Sequence, residues 1–165
     1  MKKVGILMGS DSDLPVVKKA KDTLDSLGIP CEMHIYSAHR TPDEARAWAR
    51  SARDNGFGAV IAAAGMAAHL AGAVAANTTL PVVGIPCGPS LSDGIDALLS
   101  TVQMPSGIPV AAVAINGAVN AAFLCAEILA VEDPALAARL EARREADRQK
   151  VLEKDRALQD LTETK

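Results

Sequence analysis

Aromatic side chains are nearly missing from this chain. Of its 165 residues, one Trp, one Tyr and two Phe make up 2%. Platforms that stack bases of single-stranded nucleic acid need such rings, and Tyr36, Trp48, Phe57 and Phe123 are few and scattered. Positive charge is not in excess either: the net charge is -3 and the pI about 5.6. The basic face of a nucleic-acid binder is therefore not expected. Cys31, Cys87 and Cys125 are the only cysteines, far apart and without a C-x-x-C pair. That pattern indicates neither a disulfide framework nor a zinc site, so no metal is expected. Buried, reduced thiols fit a cytoplasmic protein. The chain has no G-x-G-x-x-G fingerprint and no G-K-[ST] phosphate loop, so neither NAD nor ATP is suggested. A membrane span is not expected. The run from Ala59 to Ala76 is almost uncharged, but its Ala, Gly and His69 read as a strand and a buried helix. The apolar start up to Met8 is short and meets Asp11 at once, which reads as a first strand rather than a leader. Without a secretory signal, the glycosylation-type triplet at Asn77 carries no meaning.

What is present is aliphatic. Hydrophobic residues are 49% of the chain, which suits Ala-rich helices packed on a sheet in one domain. Strand-like runs at Val4–Met8, Cys31–Tyr36, Ala59–Ala63, Val82–Ile85 and Val110–Ile115 alternate with helical patterns. Those patterns cover Leu14–Leu27, Pro42–Asn55, Ala67–Ala76, Ser92–Val102 and Ala118–Ala130. Continuous apolar strands separated by helices predict an α/β fold, a three-layer doubly wound domain around a parallel five-stranded sheet. From Pro134 the composition turns charged, with Leu136, Leu140, Val151, Leu158 and Leu161 as a thin helical stripe. This divides the chain into a body, 1–132, and a helical extension, 133–165, of the same domain. The extension is either a solvated helix or one that packs on another subunit, and so thin a stripe favours the latter.

Chemistry in such a fold gathers where strands end and helices begin. After the first strand, Gly9-Ser10-Asp11-Ser12-Asp13 offers backbone N–H groups, two hydroxyls and the positive end of a helix, a site for an anion. Asp13 would repel a phosphate but suits sugar hydroxyls. The competing reading is that Ser12 or Asp13 merely caps the helix. After the second strand comes Ser37-Ala38-His39-Arg40-Thr41-Pro42. Thr41 with Glu44 has the spacing of a capping box, and Pro42 fits the first helical turn. His39 and Arg40 precede the cap and are either solvated loop residues or, as their place at a strand's carboxyl end favours, a proton carrier beside a phosphate fork acting on a small phosphorylated molecule. His34 reads as an alternating surface residue of the strand. His69 lies in the Gly65–Gly72 stretch, where small residues permit close approach of a ligand. Its own role is either a hydrogen-bonded core histidine or a substrate contact. Gln103 and Met104 signal a lining role only weakly.

Taken together, Met8–Asp13, Ser37–Pro42, Ala67–Leu70, Asp96–Ser100, Val102–Pro105 and Asn120–Ala122 resemble the N5-carboxyaminoimidazole ribonucleotide mutase family, the PurE enzymes of purine biosynthesis. The resemblance runs in family order to about Leu129. It implies a flavodoxin-like sheet, a cytoplasmic homo-octamer with sites near subunit contacts, and a reaction without metal or organic cofactor. The reaction moves a carboxylate from the exocyclic nitrogen of an aminoimidazole ribonucleotide to ring carbon 4. By position, Ser10, Ser12 and Arg40 would hold the phosphate and Asp13 the ribose, with His39 the general acid and base. Ser37, Ala38, Gly65, Ala68, His69 and Leu70 would complete the substrate pocket. Departures are Ala63 and Met66 in place of glycines, Ala71 in place of proline and Val119 in place of lysine. A related direct carboxylase branch carries Arg-Ser-Asn at Met66-Ala67-Ala68, so the mutase is favoured. A nucleotide sensor without catalysis is the other alternative; it would have no use for His39.

Overall fold

The computed structural model describes residues 1–88 and 94–163. Five parallel strands form one sheet in the order β2-β1-β3-β4-β5. They are β1 (Lys3–Met8), β2 (Cys31–Ile35), β3 (Phe57–Gly65), β4 (Val82–Cys87) and β5 (Ala111–Ala112). The helices are α1 (Leu14–Ser26), α2 (Pro42–Ser51), α3 (Leu70–Ala75), α4 (Ile95–Val102), α5 (Ala118–Ala130) and α6 (Pro134–Glu163), with a 3-10 turn at Asp11–Asp13 before α1. This is the flavodoxin-like α/β order, in which the connections diverge between β1 and β3.

The inner strands are apolar throughout because both faces are covered. On one face Val4, Ile6, Ala59, Ile61, Val83 and Ile85 meet α1 and α5 through Val17, Leu24, Ala121 and Cys125. On the other, Leu7, Val60, Ala62 and Val82 meet α2 and α3 through Ala49, Leu70 and Val74. Gly5 is required on this second face, because a Cβ there would run into the Trp48 indole of α2. The two edge strands, β2 and the short β5, are half-exposed along their length. His34, expected on its surface, is instead half-buried: it stacks on Tyr36 at 5.1 Å, and its covered Nε2 has no hydrogen-bond partner.

Several boundaries differ from the sequence expectation. β4 continues through Pro86 to Cys87. The Gly84 and Pro86 carbonyls accept from Val113 and Asn116, on the side where β5 pairs only with Val83 and Gly84. The N–H that proline lacks would point to that same side, where the ladder has ended, so no strand bond is lost. β5 is two residues long rather than Val110–Ile115. The helix expected from Ala67 begins at Leu70, because Met66 and His69 adopt left-handed φ values of 46° and 55°. The expected start of α4 at Ser92 lies outside the described residues. Leu136 is fully buried and Leu140 nearly so against α5, so α6 packs first on its own domain. Among the described residues no helix is long and apolar enough to cross a membrane.

Candidate active site

At the carboxyl ends of the strands, across the β1/β3 divergence, lies a cleft of about 750 Å³. Ligands of open α/β sheets bind at this place for a topological reason: neighbouring loops turn away to opposite faces and leave a crevice. Ser10, Ser12 and Asp13 reach it from the loop after β1, and Ser37, Ala38, His39 and Arg40 from the loop after β2. Gly65, Met66, Ala68 and Leu70 line it from the β3–α3 connection, and Cys87, Gly88 and Asn116 close the far side. A shallower depression of about 380 Å³ adjoins it across Ser10, Ser37 and Arg40.

Ser10 caps the 3-10 turn by accepting from the Ser12 N–H at 3.3 Å. Asp13 occupies the N-cap position of α1 but makes no side-chain cap bond, and Ser12 does not cap the helix either, so among the described residues the Ser12 hydroxyl has no partner. The loop after β2 is tied by Ser37 and Thr41 rather than by a capping box. The Thr41 hydroxyl accepts from the Ser37 N–H at 2.8 Å, and Thr41 makes no side-chain cap on α2. The Ser37 hydroxyl oxygen accepts from the His39 and Arg40 N–H groups at 3.3 and 3.1 Å. Both lone pairs are then engaged while its O–H remains able to donate into the cleft. Arg40 donates to the Gly9 carbonyl at 3.3 Å, which lays its guanidinium over the Ser10 loop with donors to spare. The exposed His39 ring has no hydrogen-bond partner among the described residues.

Asp13 is half-buried, and desolvation raises its carboxyl above the ordinary 3.8, a hydrogen bond with the Ser10 backbone offsetting part of this. Burial, reinforced by the nearby Asp13 charge, pushes the Cys87 thiol up to about 12. Cys87 is therefore a neutral, apolar wall at physiological pH and not a nucleophile. Among the described residues no three His, Cys, Asp or Glu side chains converge as metal ligands.

His69 is the expected site residue that the structure sends elsewhere. It occupies the N-cap position of α3 without a side-chain cap bond, exposed and not within an apolar helix, with its ring over Gly72 and Nδ1 2.5 Å from the Ser100 carbonyl. It does not line the cleft. A Cβ on Gly72 would occupy the space of that ring, so the small residue serves the histidine. Cys87, Gly88 and Asn116 were not expected from sequence. The Asn116 amide accepts from the Gly88 N–H at 3.1 Å and donates to its carbonyl at 2.5 Å, continuing the ladder that β5 no longer supplies. Their positions at the ends of β4 and β5 were the available signal, hidden because Pro86 shortens the apparent strand.

The AIR carboxylase family model matches residues 3–150. An N5-carboxyaminoimidazole ribonucleotide mutase of Thermotoga maritima is 49% identical over 161 residues, covering 98% of this chain and 94% of that protein. A phosphoribosylaminoimidazole carboxylase of Schizosaccharomyces pombe is 52% identical over 92% of this chain, a match spanning 27% of that longer protein. The crystal structure of Treponema denticola PurE superposes with a TM-score of 0.83 at 32% identity, covering 92% of this chain and 95% of that one.

Proposed function

The chain belongs to the AIR carboxylase family, and from that membership and the cleft we propose that it is the mutase of de novo purine biosynthesis. It interconverts N5-carboxyaminoimidazole ribonucleotide and 4-carboxy-5-aminoimidazole ribonucleotide. The observation that carries the reading is a single cleft joining an anion-ready end, at Ser10, Ser12 and Arg40, to the unpartnered imidazole of His39. A relative named as the mutase matches over nearly its whole length.

In this reading the phosphate sits on the Ser10 and Ser12 hydroxyls beside Arg40, and Asp13 accepts from the ribose. That remote binding energy orients the ring. His39 protonates the carbamate nitrogen; the N–C bond breaks with its electrons left on nitrogen, and carbon dioxide is released within the cleft. Ring carbon 4 then bonds to that carbon dioxide, and His39 takes the proton from carbon 4 to restore aromaticity. One proton is given and one taken, so substrate and product are isomers and His39 ends as it began. Ser37, Ala38, Gly65, Ala68 and Leu70 form the walls. His69 holds the β3–α3 connection from outside. A homo-octameric assembly, with the part of the extension 133–165 beyond Leu140 packed between subunits, and a cytoplasmic location belong to the same proposal.

The test supplies the carbamate ribonucleotide without ATP or added bicarbonate and follows the carbon-4 carboxylated product. Product formation is the expected result. The second reading is direct carboxylation of aminoimidazole ribonucleotide, to which only the name of the longer fungal carboxylase points, through a match spanning 27% of that protein. Product only from that compound plus bicarbonate would establish the direct reaction and sink the mutase. His39→Asn is expected to bind the ribonucleotide while turnover falls at least about a hundredfold; near-normal turnover would remove His39 from the chemistry.

A further inference from the structure

Among the described residues, three non-glycine residues have left-handed backbones: Met66 at φ 46°, His69 at 55° and Asn116 at 57°. Two of them have local reasons. His69 places its ring against the Ser100 carbonyl and over Gly72. Asn116 is of a residue type that tolerates this conformation, and its amide holds Gly88. Met66 has no such return, since its long side chain is 78% exposed and buries little to offset the strain. Strain kept without packing in return is a mark of functional sites.

The loop is held in this shape from α4. The Ser100 hydroxyl donates to the Met66 carbonyl at 3.5 Å, and the Ser100 carbonyl faces His69 Nδ1 at 2.5 Å. One residue of α4 thus grips both ends of the Met66–His69 segment, with only Ala67 and Ala68 between. The effect is to present a flexible apolar chain at the cleft. Among the described lining residues with large apolar side chains, Leu70 is buried and Val16 half-buried, whereas Met66 stands free. The wall beneath it, formed by Ala64, Gly65, Ala68 and Leu70, is apolar.

We infer that Met66 folds over the bound aminoimidazole ring and retains carbon dioxide during the transfer. The inference rests on the mutase reading. Carbon dioxide, once cut from nitrogen, is small and uncharged, so no ion pair holds it and only exclusion from water keeps it near carbon 4. A thioether is the side chain suited to the task. It is unbranched, adapts its shape, and gains from contact with an aromatic ring. Met66 is thus a specificity-determining residue, selecting carboxylation of carbon 4 over loss to solvent.

The experiment compares wild type, Met66→Gly and Met66→Leu on the carbamate ribonucleotide. It measures the ratio of free aminoimidazole ribonucleotide to carboxylated product, corrected for enzyme-free loss, and the entry of label from bicarbonate. Glycine accepts the left-handed backbone without strain, so Met66→Gly keeps the fold. Its leak ratio and label entry are expected to rise about three- to tenfold, the worth of half-burying one aliphatic side chain against the ring. Met66→Leu, which keeps an apolar cover, is expected to stay near wild type. An unchanged ratio in Met66→Gly, or an equal leak in Met66→Leu, overturns the role of Met66 while leaving the mutase standing. A changed native mass with an unchanged ratio overturns it too and marks the residue as a subunit contact. Wild type that forms no carboxylated product overturns both readings.

Discussion

The Asp13 carboxyl faces the cleft half-buried, and desolvation holds its titration above the ordinary 3.8 despite a hydrogen bond with the Ser10 backbone. The sign of the consequence follows from linkage. Below 3.8 the group is neutral whether the chain is folded or not. As pH rises, the unfolded chain ionises first, so stability falls until the folded carboxyl has ionised as well, and the loss is complete at neutral pH. Asp13→Asn removes that cost. Its melting temperature is expected to exceed that of wild type at pH 7, with the gap narrowing through the carboxylate range and closing at the acid end. The same substitution removes the acceptor assigned to the ribose, so KM for the ribonucleotide is expected to rise about tenfold or more. Calorimetry across pH beside steady-state kinetics checks both halves. A stability gap that ignores pH would show that ionisation is not its cause. His39 and Arg40 were legible in the sequence for a complementary reason: no cap, turn or core position explained them. The role of Ser37 was not legible, because it depends on two lone pairs meeting two backbone N–H groups, a matter of loop geometry.

At the scale of elements, the sequence is most readable where a stop signal coincides with a change of periodicity. The α1 helix ends before Gly28, which takes φ 69°, and β1 is a run of buried apolar residues broken by Gly9. It is least readable where tertiary contacts override propensity. Ala67 and Ala68 favour helix in isolation, yet the grip of Ser100 on the Met66–His69 segment holds them out of one. Pro86 normally argues against a strand, yet it sits where the neighbouring ladder has already ended. The thin stripe of α6 is a third case. Leu136 is wholly buried beside Cys125 and Ala126, and Arg139 donates to the Leu27 carbonyl at 3.1 Å. These contacts make the first turns of α6 part of the domain core. Leu136→Ala is expected to cost about 2–5 kcal/mol in chemical denaturation, the price of a buried leucine cavity. A loss below about 0.5 kcal/mol, the range of surface substitutions, would mean that α6 does not belong to the core.

For the whole molecule, the distal half of α6 poses the remaining physical problem. Beyond Leu140 the helix runs on to Glu163, with Val151, Leu158 and Leu161 at 66%, 56% and 76% exposure. Arg144 still reaches Glu127 of α5 at 2.5 Å, whereas the pairs of Arg143 with Asp147, Arg148 with Glu145 and Lys150 with Asp147 are exposed and lie within the helix itself. Such pairs contribute only a few tenths of a kcal/mol each, and a helix without tertiary packing is marginal in water. A second copy of the chain lying against Val151, Leu158 and Leu161 would supply the missing burial. Removing residues 151–165 spares Leu136 and Leu140, so the shortened protein is expected to keep its sheet spectrum and cooperative unfolding. Its native mass in sedimentation is expected to fall, and with it the specific activity at low protein concentration, since in the proposed assembly a cleft beside a subunit contact would lose a wall when the assembly opens. An unchanged mass would show that the distal helix is a solvated extension, stabilised by its own charge pattern and irrelevant to assembly.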